Sequence, residues 1–135
     1  IWIRMGSSPW HKGKASDVIL FANEVEITAL VEAQDFDDSF QHTRRLCEIA
    51  ALTRSEKGSV IAAGEEIHVI DAAPVEQVVD TTGAGDLYAA GFLYGYTRNR
   101  DLAACAHMGS LAAGEIISHF GARPETPLAG LLPPD

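Results

Sequence analysis

The sequence predicts an α/β domain with a mostly parallel sheet flanked by helices. A short, continuous apolar run at residues 18–22 is typical of a parallel strand whose two faces are both covered. Asn23 follows as a natural helix cap, and residues 24–32 have the apolar spacing of a helix. Farther along, a glycine-rich turn at residues 80–86 joins a predicted strand to a predicted helix. Strands that alternate with helices in this way indicate an α/β sheet.

The remaining elements are predicted in chain order, although residues 1–16 have no clear period and no domain boundary is visible. Acidic residues at 35–38 open a second helix, because negative side chains stabilise the positive end of a helix dipole. We assign its apolar face to Phe40, Leu46, Ile49 and Ala50. The chain then gives a strand at 51–53, a polar turn at 54–58, hairpin strands at 59–63 and 66–70, a strand at 75–80, and helices from Asp86 to about Arg98 and from Asp101 to Phe120.

Composition limits the class of protein. The chain has 135 residues, 47% of them hydrophobic, which suffices for one domain with a real core. Its formal net charge of −9 argues against a nucleic-acid surface, which needs clustered Lys and Arg. No apolar stretch reaches the roughly 18 residues that would indicate a membrane span. An anion must therefore be bound by local devices, such as backbone amides or a metal ion.

The two cysteines are expected to be reduced and packed in the interior. Cys47 and Cys105 both lie in stretches that we interpret as helical, and neither has a CxxC partner. A disulfide framework or a zinc site is therefore not expected.

The segment from Asp80 to Asp86 has the composition of an anion-binding turn. Gly83 and Gly85 let the backbone take unusual dihedral angles and approach a ligand closely. The first amides of the following helix have no acceptor inside that helix, and they point outward at its positive end. Together these features predict a site suited to a phosphoryl group.

A carboxylate at the edge of such a site requires an explanation, because a phosphate group repels it. Asp86 could be a general base that accepts the proton of an attacking hydroxyl group in line with the phosphorus. It could instead only cap the helix. Its position alone leaves both interpretations open.

Two other phosphate-binding motifs do not fit. A P-loop needs Gly-Lys followed by Ser or Thr, whereas Asp86 and Leu87 follow the glycines here. A dinucleotide-binding fingerprint needs a third small residue where this chain has Tyr88, whose bulk would block contact between helix and strand.

The turn resembles the second signature of the ribokinase-like (PfkB) carbohydrate kinases, a family that includes adenosine kinases. The match continues through Tyr88–Phe92. Asn23–Glu26 resembles the family's Asn-x-x-Glu motif, Thr53–Gly58 its strand-end segment closing in Lys-Gly or Arg-Gly, and Gly121–Pro124 its Gly-Ala-x-Pro helix end. The resemblance covers roughly residues 17–130. It implies a ribokinase-like three-layer α/β fold and transfer of the γ-phosphoryl group of ATP to a sugar or nucleoside hydroxyl, with adenosine-kinase-like members favoured.

The resemblance also implies roles for single residues. Asp86 matches the catalytic base, and Gly83, Ala84 and Gly85 match the anion hole. Asn23 and Glu26 match the pair that organises Mg²⁺ and its waters, and Mg²⁺ does prefer oxygen ligands and keep several waters. Read without the resemblance, Asn23 would be a helix cap and Glu26 an ordinary exposed helix residue.

ATP contacts are implied for residues matching the nucleotide side of the family's site: Thr53, Lys57, Gly58, Gly109 and Ser110. Lys57 could equally be a solvated turn charge. Ser110 departs from the family, whose members often have Asn or His beside the adenine, so adenine recognition could be looser here. Gly109 leaves room for a flat ring, but small residues also allow close helix packing.

Many family members hold a monovalent cation such as K⁺ near the anion hole, mostly on backbone carbonyl groups. The residues that match this site are Asp80 and Thr82 on one side and Ile116, His119, Gly121 and Glu125 on the other. His107 and His119 have no partner at i+4, so we expect both to be packing or surface histidines.

Family members run to roughly twice this length, and the chain begins with Ile1 rather than Met. We therefore expect residues 1–135 to be the ATP-binding and catalytic C-terminal part of a kinase domain, without the acceptor-binding half and lid, and to be inactive as an enzyme when alone. We expect a cytoplasmic chain that binds ATP and a small sugar or nucleoside, and that associates with its first half or with a second copy. The alternative is a non-catalytic nucleotide-binding or assembly module.

Overall fold

The computed structural model describes residues 2–4, 15–75, 77–81 and 83–119. The elements alternate as an α/β fold requires, and they divide into two compact units. The first unit holds the sheet with two helices, and the second holds a helix pair. In chain order the elements are β1 (Trp2–Arg4), β2 (Ala15–Asn23), α1 (Glu24–Leu30), α2 (Phe36–Thr43), β3 (Cys47–Thr53), a 3-10 helix (Ser55–Lys57), β4 (Ser59–Ala63), β5 (Glu66–Ile70), α3 (Ala84–Tyr96) and α4 (Leu102–Ile117).

The described strands form one five-stranded sheet in the order β1-β2-β3-β4-β5. β2 and β3 run parallel, whereas β1 pairs with β2 and β4 pairs with β3 in antiparallel fashion. The predicted hairpin is confirmed, with Gly64 and Glu65 between β4 and β5. The α/β class is thus correct, but the described sheet is mixed. Its parallel strands, β2 and β3, are connected through α1 and α2.

One face of this sheet packs against α1 and α2. The parallel pairing places the even-numbered residues of β2 beside the even-numbered residues of β3, so that their side chains share one core. That core contains Val18, Leu20, Ile27, Phe36, Phe40, Cys47, Ala50, Leu52 and Ala62.

The predicted second helix extends too far. α2 begins as expected, with the Asp35 carboxylate accepting a hydrogen bond from the Asp38 amide over 2.8 Å, but it ends at Thr43. Ile49 and Ala50 lie in β3, which begins at Cys47 rather than at residue 51. A strand buried on both faces has no alternation of polar and apolar residues, so its sequence is easily taken for a helix face.

Other boundaries also differ from the prediction. The strand predicted at 75–80 is wrong for the described residues: 71–75 and 77–81 have no regular structure. β1 was not predicted, and α4 ends at Ile117. The predicted helix at Asp86 begins two residues earlier, at Ala84. Among the described residues, no helix combines the length and the apolar character needed to cross a membrane.

Glycines set the distance between α3 and α4. A Cβ atom added to Gly91 would lie 2.5 Å from the Met108 carbonyl oxygen, and one added to Gly109 would lie 2.8 Å from the Tyr88 carbonyl oxygen. Both contacts are with backbone, so neither can be relieved by a side-chain rotation. The small residues therefore allow the two helices to approach closely, and Phe92, Ala112 and Ile116 are fully buried in this pair.

The two cysteines are free and buried, as predicted, although Cys47 lies in a strand. Burial, together with the nearby negative charge of Asp101, raises the pKa of the Cys105 thiol to about 11. A thiol with so high a pKa stays protonated near neutral pH and behaves as a small apolar group.

Replacing Gly91 with alanine should lower the free energy of unfolding by about 1–3 kcal/mol, because α3 and α4 must move apart. Gly85 lies in the same helix, and a Cβ atom there would meet no atom within 4 Å. Gly85→Ala should therefore leave stability unchanged or raise it. Denaturant unfolding of both variants measures the difference, and equal effects would contradict the close-packing argument.

Gly58 should be still less tolerant of alanine. Its φ is +90°, and an added Cβ atom would lie 2.0 Å from the Ile70 carbonyl oxygen. Gly64 also has a positive φ, of +63°, but its Cβ position is open. We expect Gly58→Ala to cost about 3 kcal/mol or more and Gly64→Ala only about 1 kcal/mol, the conformational part alone. Thermal unfolding of the two variants separates the steric cost from the conformational one.

Candidate functional site

The register of the parallel pair brings two predicted site residues to the same end of the sheet. Asn23 closes β2 and Thr53 closes β3, and the two are directly paired across the strands. Ligands of open α/β sheets bind outside the carboxyl ends of the parallel strands. The first residue assigned to Mg²⁺, Asn23, therefore lies beside the first residue assigned to the nucleotide, Thr53.

Asn23 and Glu26 form a reciprocal capping box at the start of α1. The Glu26 amide donates to Asn23 Oδ1 over 2.7 Å, and the Asn23 amide donates to Glu26 Oε1 over 3.0 Å. The helix-cap interpretation of Asn23 is thus correct as far as it goes, and Glu26 is more than an ordinary helix residue. Both residues are exposed, so each capping side chain also faces solvent.

The donor atoms of this pair suit Mg²⁺. Both side chains offer oxygen atoms, and a magnesium ion bound mainly by waters and phosphates needs only one or two protein oxygens. Within the described ranges, no group of three or more His, Cys, Asp or Glu side chains could hold a metal ion directly. The exposed oxygen atoms of the capping box are compatible with the water-mediated role predicted for this pair.

The segment after β3 contains an arginine, Arg54, for which the sequence predicted no role. Arg54 donates from Nη2 to Glu24 Oε1 over 3.2 Å and from Nε to Oε2 over 3.3 Å. Its guanidinium also lies over the Phe36 ring, 4.0 Å from the ring centroid. The sequence signal for this contact is Arg54 directly after β3 and Glu24 directly after the α1 cap. The signal can be recognised only when the register of β2 and β3 is known.

The turn beyond Arg54 reverses the chain through two positive φ angles. Ser55 has φ +51°, unusual for a residue with a side chain, and Gly58 has φ +90°. Lys57 lies between them in the 3-10 helix and is exposed, so its ammonium group is accessible to a ligand and to water alike. The roles predicted for Thr53, Lys57 and Gly58 stay predictions.

The glycine-rich turn opens α3 as expected. Gly83 caps the helix with φ 83° and ψ 0°, a left-handed conformation that favours glycine. The Ala84 amide donates to the Thr81 carbonyl over 3.2 Å. The first hydrogen bond of the helix runs from the Leu87 amide to the Gly83 carbonyl over 3.0 Å. The amides of Gly85 and Asp86 consequently have no acceptor within the helix, at its positive end. Thr82 lies outside the described residues.

Asp86 occupies the third position of α3, and its carboxylate is exposed. Among the described residues it accepts no hydrogen bond, in contrast to Asp35 and Asp101, whose carboxylates accept from the backbone amides of Asp38 and Ala104. The capping interpretation thus has no hydrogen bond to support it in this part of the chain. The carboxylate is accessible for contact with a ligand.

Gly109 and Ser110 lie on α4, and both are buried. Gly109 faces Tyr88, with its Cβ position 3.0 Å from the tyrosine ring. This contact agrees with the packing interpretation of the small residues, while a contact of Gly109 or Ser110 with adenine stays a prediction.

The structure brings together the two sides of the predicted cation site in part. The amides of Val79 and Asp80 both donate to the Ile117 carbonyl, over 2.8 Å and 3.3 Å, which holds this segment against the end of α4 beside Ile116. Gly121 and Glu125, like Thr82, lie outside the described residues.

His119 has a partner that the sequence analysis missed. Its Nε2 lies 2.8 Å from Oε1 of Glu115, one helical turn earlier, and the two side chains are 12% and 7% exposed. The acid stands at i−4, one turn toward the N-terminus, rather than at i+4. The expectation that His119 is a packing histidine is compatible with this partly buried pair.

The chain is similar to known proteins in sequence and in fold. Residues 15–129 match the model of the pfkB family carbohydrate kinases. Cytidine kinase of Thermococcus kodakarensis is 35% identical over 106 residues, which are 76% of this chain and 38% of that protein. An uncharacterized sugar kinase of Archaeoglobus fulgidus is 35% identical over 128 residues, which are 90% of this chain and 48% of that protein.

Among solved structures, adenosine kinase from Sinorhizobium meliloti superposes with a TM-score of 0.80 at 53% identity, covering 83% of this chain and 34% of that one. The chain therefore spans less than half the length of these relatives. The predicted ribokinase-like α/β fold class is confirmed by these similarities. By sequence and by fold, the chain belongs to the PfkB family of carbohydrate kinases.

Proposed function

We propose that this chain is the ATP-binding and catalytic part of a kinase domain that transfers the γ-phosphoryl group of ATP to a hydroxyl of a nucleoside. The observation that carries the proposal is the start of α3. There, backbone amides that have no acceptor within the helix lie at its positive end. They adjoin the exposed Asp86 carboxylate, which accepts no capping hydrogen bond from the described residues. A phosphoryl group and the hydroxyl that attacks it need these two features together.

In this proposal, Asp86 accepts the proton of the acceptor hydroxyl as that oxygen attacks the γ-phosphorus. The turn Gly83–Gly85 forms the anion hole, and the helix amides stabilise the negative charge on the phosphoryl group in transit. ADP leaves with the electron pair of the broken bond. Such fixed backbone dipoles suit an acidic chain with a formal net charge of −9, because they add no repulsion of their own.

The nucleotide is assigned to the residues that follow the parallel strands. Asn23 and Glu26 would hold Mg²⁺ through its waters, and the bound ion would neutralise charge on the phosphates. Thr53, Lys57 and Gly58 are proposed as nucleotide contacts on one side, with Gly109 and Ser110 on the adenine side. A K⁺ site at Asp80, Thr82, Ile116, His119, Gly121 and Glu125 belongs to the same proposal.

The acceptor class is inferred from the relatives. The similar proteins include an adenosine kinase and a cytidine kinase, and both names specify nucleoside acceptors. A sugar kinase is also among them, so a free sugar is the second candidate acceptor.

A phosphorylation assay of the intact kinase, with its acceptor-binding half present, uses ATP, Mg²⁺ and matched panels of nucleosides and free sugars to test the proposal. We expect turnover with at least one nucleoside and weaker or no turnover with ribose or fructose. Calorimetric titration with ATP and Mg²⁺ in parallel separates binding from catalysis. Binding without turnover on either panel would favour a nucleotide-binding module instead.

Asp86→Asn should lower kcat by about 100-fold or more, because asparagine keeps the shape of the side chain and removes the base. Asp101 provides a matched control: it also stands at the start of a helix, but its carboxylate accepts a hydrogen bond from the Ala104 amide over 2.8 Å. Asp101→Asn should keep both the cap and the turnover.

Steady-state kinetics and thermal unfolding of the two aspartate variants give the answer. If Asp86→Asn retained normal kcat with an unaltered melting temperature, Asp86 would not be the base. A loss of stability in Asp86→Asn equal to the loss of activity would instead point to a structural role for this side chain.

A further inference from the structure

Arg54 stands where three elements of the sheet unit meet. It follows Thr53, the last residue of β3, and its guanidinium donates two hydrogen bonds to Glu24, the first residue of α1. The same planar group lies over the ring of Phe36, the first residue of α2, at 4.0 Å from the centroid. A bidentate contact and a stacked ring together fix both the position and the plane of a guanidinium.

These contacts lead directly to the capping box. Glu24 is the residue between Asn23 and the rest of α1, and Asn23 is paired in register with Thr53. Arg54 therefore closes a ring that runs from the end of β2 through the start of α1, across the ion pair, and back to the end of β3. In this ring the ion pair connects the neighbour of Asn23 with the neighbour of Thr53.

We propose that Arg54 is a positioning residue that acts through Glu24 and Phe36. It holds the Asn23–Glu26 pair beside Thr53 in the arrangement that a magnesium-bound nucleotide requires. This inference rests on the proposed function, because it concerns the ligand assigned to that pair.

The exposure of the pair separates this role from a purely structural one. The side chains of Arg54 and Glu24 are 26% and 37% exposed, and partly exposed ion pairs contribute little to stability. Loss of the Arg54–Glu24 ion pair should therefore change the geometry of the capping box more than it changes the stability of the fold. Lysine keeps the charge but provides neither the two-pronged contact nor the flat stacking surface.

The chain supplies a matched control at the other end of α2. Arg44, at the end of α2, lies over the Phe40 ring at 5.7 Å and donates to the Gly64 carbonyl over 2.7 Å. It thus combines an aromatic contact with a hydrogen bond, as Arg54 does, but it reaches the turn between β4 and β5 rather than the capping box.

The experiment compares Arg54→Lys, Glu24→Gln, their double variant and Arg44→Lys in the full-length protein. Calorimetry measures the Kd of ADP with saturating Mg²⁺ and again with EDTA, and kinetics measure KM for ATP and for the acceptor. We expect Arg54→Lys to weaken Mg²⁺-dependent ADP binding and to raise KM for ATP by about 10-fold, the usual effect of a residue that orients a metal-site partner. ADP binding in EDTA, KM for the acceptor and the melting temperature should change little.

The double variant should be no worse than Arg54→Lys alone, because both substitutions break the same contact. Arg44→Lys should match wild-type in every measurement. Wild-type-like Mg²⁺-dependent binding in Arg54→Lys, or an equal loss in Arg44→Lys, would overturn the inference. If Arg54→Lys fails to fold, Glu24→Gln carries the same test, since it leaves the arginine and its ring contact in place.

Failure of the proposed function has a different signature. A wild-type protein that phosphorylates no acceptor would contradict the kinase proposal, while the calorimetric comparison would still decide whether Arg54 controls the nucleotide site.

Discussion

The parallel pairing of β2 with β3 is the constraint on which the candidate nucleotide site depends. It aligns Asn23 with Thr53, and each strand continues directly into the groups that the site requires. β2 runs into the capping box of α1, while β3 runs into Arg54 and the turn that ends at Gly58. A shift of one residue in this register would turn the apolar residues of one strand away from the shared core. The burial of Leu20, Ala50 and Leu52 therefore also fixes where the polar residues meet.

A second constraint governs the start of α3. Gly91 and Gly109 let α3 and α4 approach until backbone touches backbone, and the carbonyl of Ile117 holds the segment before the glycine turn through two amides. The turn is thus held from both directions, by the helix that follows it and by the end of α4. Fixed backbone dipoles are what electrostatic stabilisation of a phosphoryl group would require of the proposed anion hole.

The sequence predicted local features of the chain better than it predicted the extent of the elements. The hairpin, the α1 cap and the glycine turn were found because Gly64, Asn23 and Gly83 have local effects that no distant residue changes. β3 was partly taken for a helix, because a strand buried on both faces has no alternation. The segment at 75–80 has a strand-like composition, but its Val79 and Asp80 amides are bonded to α4 instead of to a neighbouring strand, and only tertiary contacts reveal such a partner.

By itself, the sequence determined the chemical groups available to this protein: side-chain oxygen atoms at Asn23 and Glu26, a glycine turn at a helix start, and a carboxylate at Asp86. These depend on residue type and short spacing, which the chain carries from the outset. Only the tertiary structure decided which of these groups stand together and which are already in use. In the structure, Asn23 pairs with Thr53 across the strands, and Arg54 forms an ion pair with Glu24. His119 contacts Glu115, and the Asp86 carboxylate is exposed. Such pairings arise from strand register and helix packing, and those depend on contacts between residues far apart in the chain.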